Sequence, residues 1–530
     1  MSIKRAVLIA GMLISSSSAV RSAPAADDPL ITLPAYEVKG IRPWLYAEIP
    51  GYQILSLATE KDTRTILEKL QSAARFTPLF FPRGYTIALT GRSTLFLHHF
   101  AGQQTVDNAT QRLQLSIRPR AFTVTAGDTF IEFPTPERIR AWLKGRQLPS
   151  DFFSTSELVT PRIPVWYREG LHVLITNSRI SDQSLVTASL NWHGTVVQPL
   201  HDLLRVETTG QLTAVDQARD ETFSAFRMGA VLFVHWGFFG DGGQRRAAFL
   251  EFVDATTRSP ANEALFRRYF HLTFAEAEAE LAVYLRKTIW RPVRLDLPGE
   301  AILPPPLVIR PATAGEVARI VGESYLLLGD IAPAPQRAHY QQTARNLLTH
   351  AYAGGDHDPR LLAQLGFVEY AAGHWDEALA HLEASTAQDV PLPRAYTLLA
   401  LLRLRKYGVR LGAPGALTEV QSRSILAPAC IALSMQPILT DACTIAEDIF
   451  LRKTIVPTTG ELNLLEAAVR QHPRDIALLA NAAAIDLAAR RFDAAHEFLD
   501  QALIWPETEA AVRTTLANAR DKIPAAPPPR

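Results

Sequence analysis

The spacing of four prolines constrains this chain more than any other feature. Pro359, Pro393, Pro437 and Pro473 are separated by 34, 44 and 36 residues. A period of this length marks an array of helix pairs, in which each unit buries its apolar face only by stacking on its neighbours. Small residues recur where two helices of a pair would meet, at Gly366 and Ala378 and again at Ala483 and Ala495. A generic helical bundle is the alternative.

Within the first unit Leu362, Leu365, Gly366, Gly373, Trp375, Ala378 and Leu382 resemble the tetratricopeptide (TPR) pattern. The last unit carries Leu479, Ala482, Ala483, Phe492, Ala495, Leu499 and Ala502. The 393–437 unit holds a Gly-rich insert, 407–416, and the 437–472 unit is degenerate. Val317 to Leu328 with Ala338 to Ala351 reads as one more pair.

The front half is different. Tyr52 to Leu57 reads as a strand, and Thr63 to Ala74 as an amphipathic helix with Ile66, Leu67 and Leu70 on one face. Short strands are expected at 79–81, 85–89, 94–97, 122–125 and 129–133. Two helices follow. The first starts at Thr135, a good N-cap, with Pro136 at its first position and Glu137 favouring the helix dipole. The second is Pro164 to Leu174, where Trp166, Glu169, Gly170 and Val173 share a face. Glu169 thus lies on or beside a face that wants burial, and a buried carboxylate must be paired, protonated or bound to a cation. Helices are also expected over 221–240, from 245, over 264–269 and from Thr273 through Tyr284.

The two helices resemble the active-site pair of the gluzincin metallopeptidases, in the peptidase MA-like group. There the first helix carries H-E-x-x-H and the second W-x-x-E-G, whose Glu is the third zinc ligand. Trp166-Tyr167-Arg168-Glu169-Gly170 fits the second motif. Pro136-Glu137-Arg138-Ile139-Arg140 stands where the first belongs, with Pro136 and Arg140 in place of both histidines. Phe266, Phe270, Thr273, Glu276, Glu278 and Leu281 match the pattern that closes such domains, so the resemblance spans about residues 45–290. It implies an α+β gluzincin-like N-terminal domain followed by an all-α TPR solenoid.

A catalytic zinc needs about three protein ligands and a water, and one carboxylate does not hold it. A guanidinium has no acceptor and ligates no metal. One expectation is that Arg140 takes the vacated position and bridges to Glu169, and to Glu137. The other is that Thr135 to Glu137 is an ordinary helix start with Arg140 in solvent. His98 and His99, adjacent on a strand, point to opposite faces and read as structural. His193 and His201 are read as outside any metal site.

A net charge of +1 gives no reason to expect nucleic acid or an anionic membrane as partner. The only cysteines, Cys430 and Cys443, exclude a disulfide framework and a four-cysteine zinc module. They are either a disulfide pair, which an export compartment permits, or two small buried residues. Lys4 and Arg5, the apolar run 6–14 and Ala23-Pro24-Ala25-Ala26 have the order of an export signal. The expected organisation is a signal peptide at 1–26, an extended linker at 27–44 and the peptidase-like domain at 45–291. A Pro-rich linker at 292–312, the TPR-like repeats at 313–523 and a disordered tail at 524–530 follow. The mature chain is expected to be periplasmic or extracellular, with no transmembrane segment.

Three functions are weighed. The first is a non-catalytic, peptidase-like exported protein without cofactor, binding a protein or peptide through its TPR array or the relic cleft. The second is an active zinc metallopeptidase with an unrecognised metal site. The third is another hydrolase using Glu137 and Glu169 as paired carboxylates.

Overall fold

The structure is a computed structural model. It describes residues 43–82, 93–97, 121–123, 129–133, 163–176, 178–180, 184–187, 197–206, 220–287, 292–296, 306–506 and 508–523. The expected signal peptide, the N-terminal linker up to residue 42 and the C-terminal tail lie outside the described residues. So do Pro136, Glu137, Arg140, His98, His99 and His193, and the strand expected at 85–89.

The front half is built on a six-stranded sheet. β1 (Leu45–Ile49) and β2 (Tyr52–Ser56) form an antiparallel hairpin turned by Gly51, which sits at φ 80 where only glycine is unstrained. Helix α1 (Glu60–Phe80) follows β2, and β3 (Ser93–Leu97) then pairs parallel to it. β4 (Ala121–Thr123) is antiparallel to β5 (Thr129–Phe133), which runs parallel to β3. The strand expected at 79–81 is the end of α1 instead. Phe76 and Phe80, four residues apart, are both buried and continue the stripe of Ile66 and Leu70, so the helical period extends through them.

Strand alternation decides what covers the sheet. Ala47, Ile54, Leu95 and Leu97 point into the core of the front half with Ile66, Leu67 and Leu70. Tyr46, Leu55 and Phe96 point the other way, and α8 (Ala314–Ile331) covers them with Val317, Ile320 and Leu327. A strand apolar on both faces is a strand covered on both faces. The first helix of the C-terminal half is therefore a layer of the N-terminal sheet.

Between β5 and α8 come α2 (Val165–Thr176), β6 (Arg179–Ile180), β7 (Ser184–Val186), α3 (Leu200–Leu204) and α4 (Asp220–Phe239). α5 (Arg246–Arg258), α6 (Glu263–Phe270) and α7 (Phe274–Lys287) complete the helical layer. Thr273 starts α7 through reciprocal bonds with Glu276. The proline-rich stretch read as a linker carries two short strands. β8 (Arg294–Asp296) joins β6 and β7 in a small antiparallel sheet, and β9 (Arg310–Pro311) pairs with Leu45 and Tyr46.

From α8 onward the described chain is a stack of helix hairpins, consistent with a TPR-like solenoid. α8 pairs with α9 (Ala334–Ala353), α10 (Pro359–Ala372) with α11 (Trp375–Thr386), and α12 (Pro393–Lys406) with α13 (Glu419–Ser434). α14 (Thr440–Leu451) and α15 (Thr459–Val469) belong to the degenerate unit, where α14 packs between α13 and α16 (Ile476–Ala488). α16 pairs with α17 (Phe492–Leu503), and α18 (Ala510–Asp521) covers the end. Gly366 shows why the pattern wants a small residue. A Cβ there would lie 2.6 Å from Leu382 Cγ, so α10 and α11 approach through a missing side chain.

The array runs along the front half from its first unit to its last. Arg360 pairs with Glu48 at 3.1 Å, and Leu439 packs on the Tyr46–Phe96 cluster. Arg474 donates to the Thr256 carbonyl at 3.1 Å and Gln501 to the Arg258 carbonyl at 2.7 Å. Every residue of α10 from Leu361 to Glu369 is buried, so no face of that helix is open over more than two turns.

Candidate functional site

The W-x-x-E-G stretch opens α2, and each of its residues has a distinct task. Trp166 is buried among Phe233 of α4 and Phe249 and Phe252 of α5, with ring centroids 5.3, 6.1 and 6.0 Å away. Tyr167 is fully buried and its hydroxyl donates to the Phe80 carbonyl, which ties α2 to the end of α1. Burial pushes the Tyr167 phenol well above its usual value, against the opposing pull of the Arg246 guanidinium. Gly170 is where α2 and α4 touch: a Cβ there would lie 2.5 Å from the Ala230 carbonyl oxygen.

These contacts fix Glu169. Its carboxylate is 14 % exposed and meets two guanidiniums. Oε1 accepts from Arg168 Nε and Nη2, each at 3.3 Å, and Oε2 lies 3.4 Å from Arg227 Nε on α4. A largely buried carboxylate needs a cationic partner, and among the described residues it has two. The sequence anticipated a cation but named Arg140, which lies outside the described residues. The partners the structure provides are Arg168 and Arg227. Arg168 is the neighbour in sequence. Arg227 stands one turn ahead of the apolar run of α4, and only the crossing of α2 over α4 at Gly170 brings it to Glu169.

Neither oxygen of Glu169 is offered freely to a metal. Among the described residues no three His, Cys, Asp or Glu side chains come together as a metal ion would need. Glu137, the other carboxylate of a paired-acid mechanism, lies outside the described residues. His201 is exposed on α3, beside Asp202 at 3.3 Å. His235, two turns beyond Arg227 on α4, is buried and its Nδ1 lies 2.7 Å from the Tyr284 hydroxyl of α7. Burial brings its imidazole down to about 3.

Cys430 of α13 and Cys443 of α14 are free thiols in the structure. Cys443 lies in the array's core and Cys430 at its margin. Burial pushes the Cys430 thiol up to about 11 and that of Cys443 higher still, which makes both poor nucleophiles.

No family model matches the chain, and no curated protein matches it. Among solved structures, a thermophilic TPR protein of Thermus thermophilus is similar at 20% identity. The match covers 37% of this chain and 98% of that one, with a TM-score of 0.22.

Truncating Arg227 to alanine should destabilise the front half by about 1–2 kcal/mol, since it removes one of the two guanidiniums that Glu169 meets among the described residues. The effect stays below that of a fully buried pair because Arg227 is 32% exposed. Denaturant unfolding of the single variants and of Arg227→Ala with Glu169→Gln measures the coupling. Additive losses would show that the pair is not an energetic unit.

Proposed function

We propose that this chain is an exported, non-catalytic, peptidase-like protein that binds a protein or peptide through its C-terminal TPR-like array. The observation that carries the reading is the stack of helix hairpins from Ala314 to Asp521. Stacked helix pairs present long, rigid surfaces suited to binding extended partners. The lack of catalysis is argued from Glu169. In the resemblance it is the surviving ligand, and here its charge is matched by Arg168 and Arg227. Export is argued from the order of Lys4, Arg5, the apolar run and the Ala-rich zone alone.

The test is to select peptides from a random displayed library on the full chain and map each by hydrogen exchange. Protection within 314–521 is expected. Protection confined to α2 and α4, or chelator-sensitive cleavage of casein by the chain, would contradict the reading.

A further inference from the structure

The front half docks on one edge of the array, at the starts of α10, α14 and α16. The opposite edge holds the turns within each hairpin. α12 spans the distance: Leu392, just ahead of it, lines a water-sized polar cavity against Gln53 and Thr94 of the sheet, and Lys406 ends it. Fourteen residues of helix place these two edges about 20 Å apart.

The far edge is built to be rigid. Arg452, after α14, donates to the carbonyls of Ala413 at 3.0 Å and Gly415 at 2.9 Å, which pins the 407–416 insert. Its carboxylate partner Asp448, at 2.7 Å, also accepts from the Gly412 amide at 3.3 Å. Arg423 of α13 pairs with Glu461 at 2.7 Å and donates to the Val456 carbonyl at 3.1 Å. Two loops and the start of α13 are thereby held side by side.

On this frame three aliphatic side chains face water. Val456 is 83% exposed, Val420 78% and Leu411 36%. On the same stretches Lys406, Arg410 and Lys453 are exposed. Asp448 and Glu461 are occupied by Arg452 and Arg423, and none of these three cations has an ion-pair partner among the described residues. Glu419 is the one exposed carboxylate in the same stretches, 406–420 and 452–456. Exposed aliphatic groups and unpaired cations on the same pinned loops complement a segment with the opposite pattern.

We propose that this edge docks an acidic protein segment, with aliphatic or aromatic anchors seated on Val420 and Val456 and carboxylates facing Lys406, Arg410 and Lys453. This rests on the array-binding reading and names its surface. An anionic membrane is the weaker match. The aromatic residue of these stretches, Tyr407, is half-buried with its hydroxyl 3.0 Å from Ser424 Oγ, and the cations are few, where lipid surfaces select exposed aromatic belts and polybasic runs.

The experiment titrates the full chain into a labelled twelve-residue peptide of Asp, Glu and two Phe, and into its Asn/Gln counterpart. The acidic peptide should bind more tightly and weaken as salt is raised. Lys406→Glu with Arg410→Glu and Lys453→Glu should weaken it tenfold or more, as should Val420→Asp with Val456→Asp. All five positions are exposed, and unchanged circular dichroism checks the fold. If the peptide protects other parts of 314–521 and the charge reversal has no effect, this surface is wrong and array binding stands. If no peptide of either kind protects the array, both readings fail. Vesicles of phosphatidylserine that bind the wild type but not the charge-reversed variant would overturn the protein-segment assignment.

Discussion

Trp166→Ala should cost the front half about 4 kcal/mol, because the indole fills the space where α2, α4 and α5 meet. Its ring is fully buried and contacts Phe233, Phe249 and Phe252, which in turn pack on Phe266 and Phe270 of α6. Removing it leaves a cavity that four helices cannot close together. Gly170→Ala attacks the same joint from the opposite direction. The added methyl meets the Ala230 backbone, which cannot rotate away as a side chain would, so the loss is about 3 kcal/mol. Trp166→Phe keeps an aromatic ring and should lose less than half as much as the alanine variant. Urea unfolding followed by amide exchange in 220–287 reads all three. Equal, small losses would mean that α2 is not the keystone of this half.

The second large effect concerns pH, and two buried groups, His235 in the front half and Asp486 in the array, should contribute in opposite directions. His235 titrates at about 3 in the folded chain and near 6.5 when unfolded. Between those values the unfolded chain holds a proton that the folded chain does not. Stability is thus fully present above about 6.5 and is lost as pH falls toward 3. Among the groups facing His235 are the Tyr284 hydroxyl and the Phe239 ring. Asp486 of α16 behaves inversely. Burial and the neighbouring Glu466 carboxylate raise it to about 7, while Arg491 and Arg470 pull it down. Between about 4 and 7 the folded array holds the extra proton, so its stability is present at low pH and is lost as pH rises toward 7. Asp486→Asn should accordingly be near neutral at pH 4 and stabilising by about 2 kcal/mol at pH 8. His235→Asn should show its largest deficit at pH 8 and a smaller one at pH 4.5. Hydrogen exchange resolves the halves, since each has its own set of slowly exchanging amides. A pH-independent effect of Asp486→Asn would show that the carboxyl is not held neutral.

Much of this architecture could be read from spacing. Trp166, Glu169 and Gly170 announced a buried helix face, and the approach at Gly366 followed from the need for a small residue between paired helices. Thr273 and Glu276 gave the start of α7 because reciprocal capping is a local interaction. What escaped was set by contacts far apart in sequence. Arg227 meets Glu169 across 58 residues, and Arg310 extends the sheet at Tyr46 from the far side of the domain. The covering of the sheet by α8 does leave a trace in the sequence. Tyr52-Gln53-Ile54-Leu55-Ser56 carries apolar side chains on both faces, which a strand with one wet face does not. Gln53 disguises the signal, since its amide is buried and donates to the Thr94 hydroxyl at 2.6 Å.

The central claim is that Glu169 is a carboxylate matched by arginines rather than a metal ligand. Elemental analysis for zinc on the full chain, purified without chelators, tests it most directly. The account predicts zinc well below one equivalent, unchanged by Glu169→Gln. One zinc per chain that Glu169→Gln removes would contradict it and restore the metallopeptidase reading.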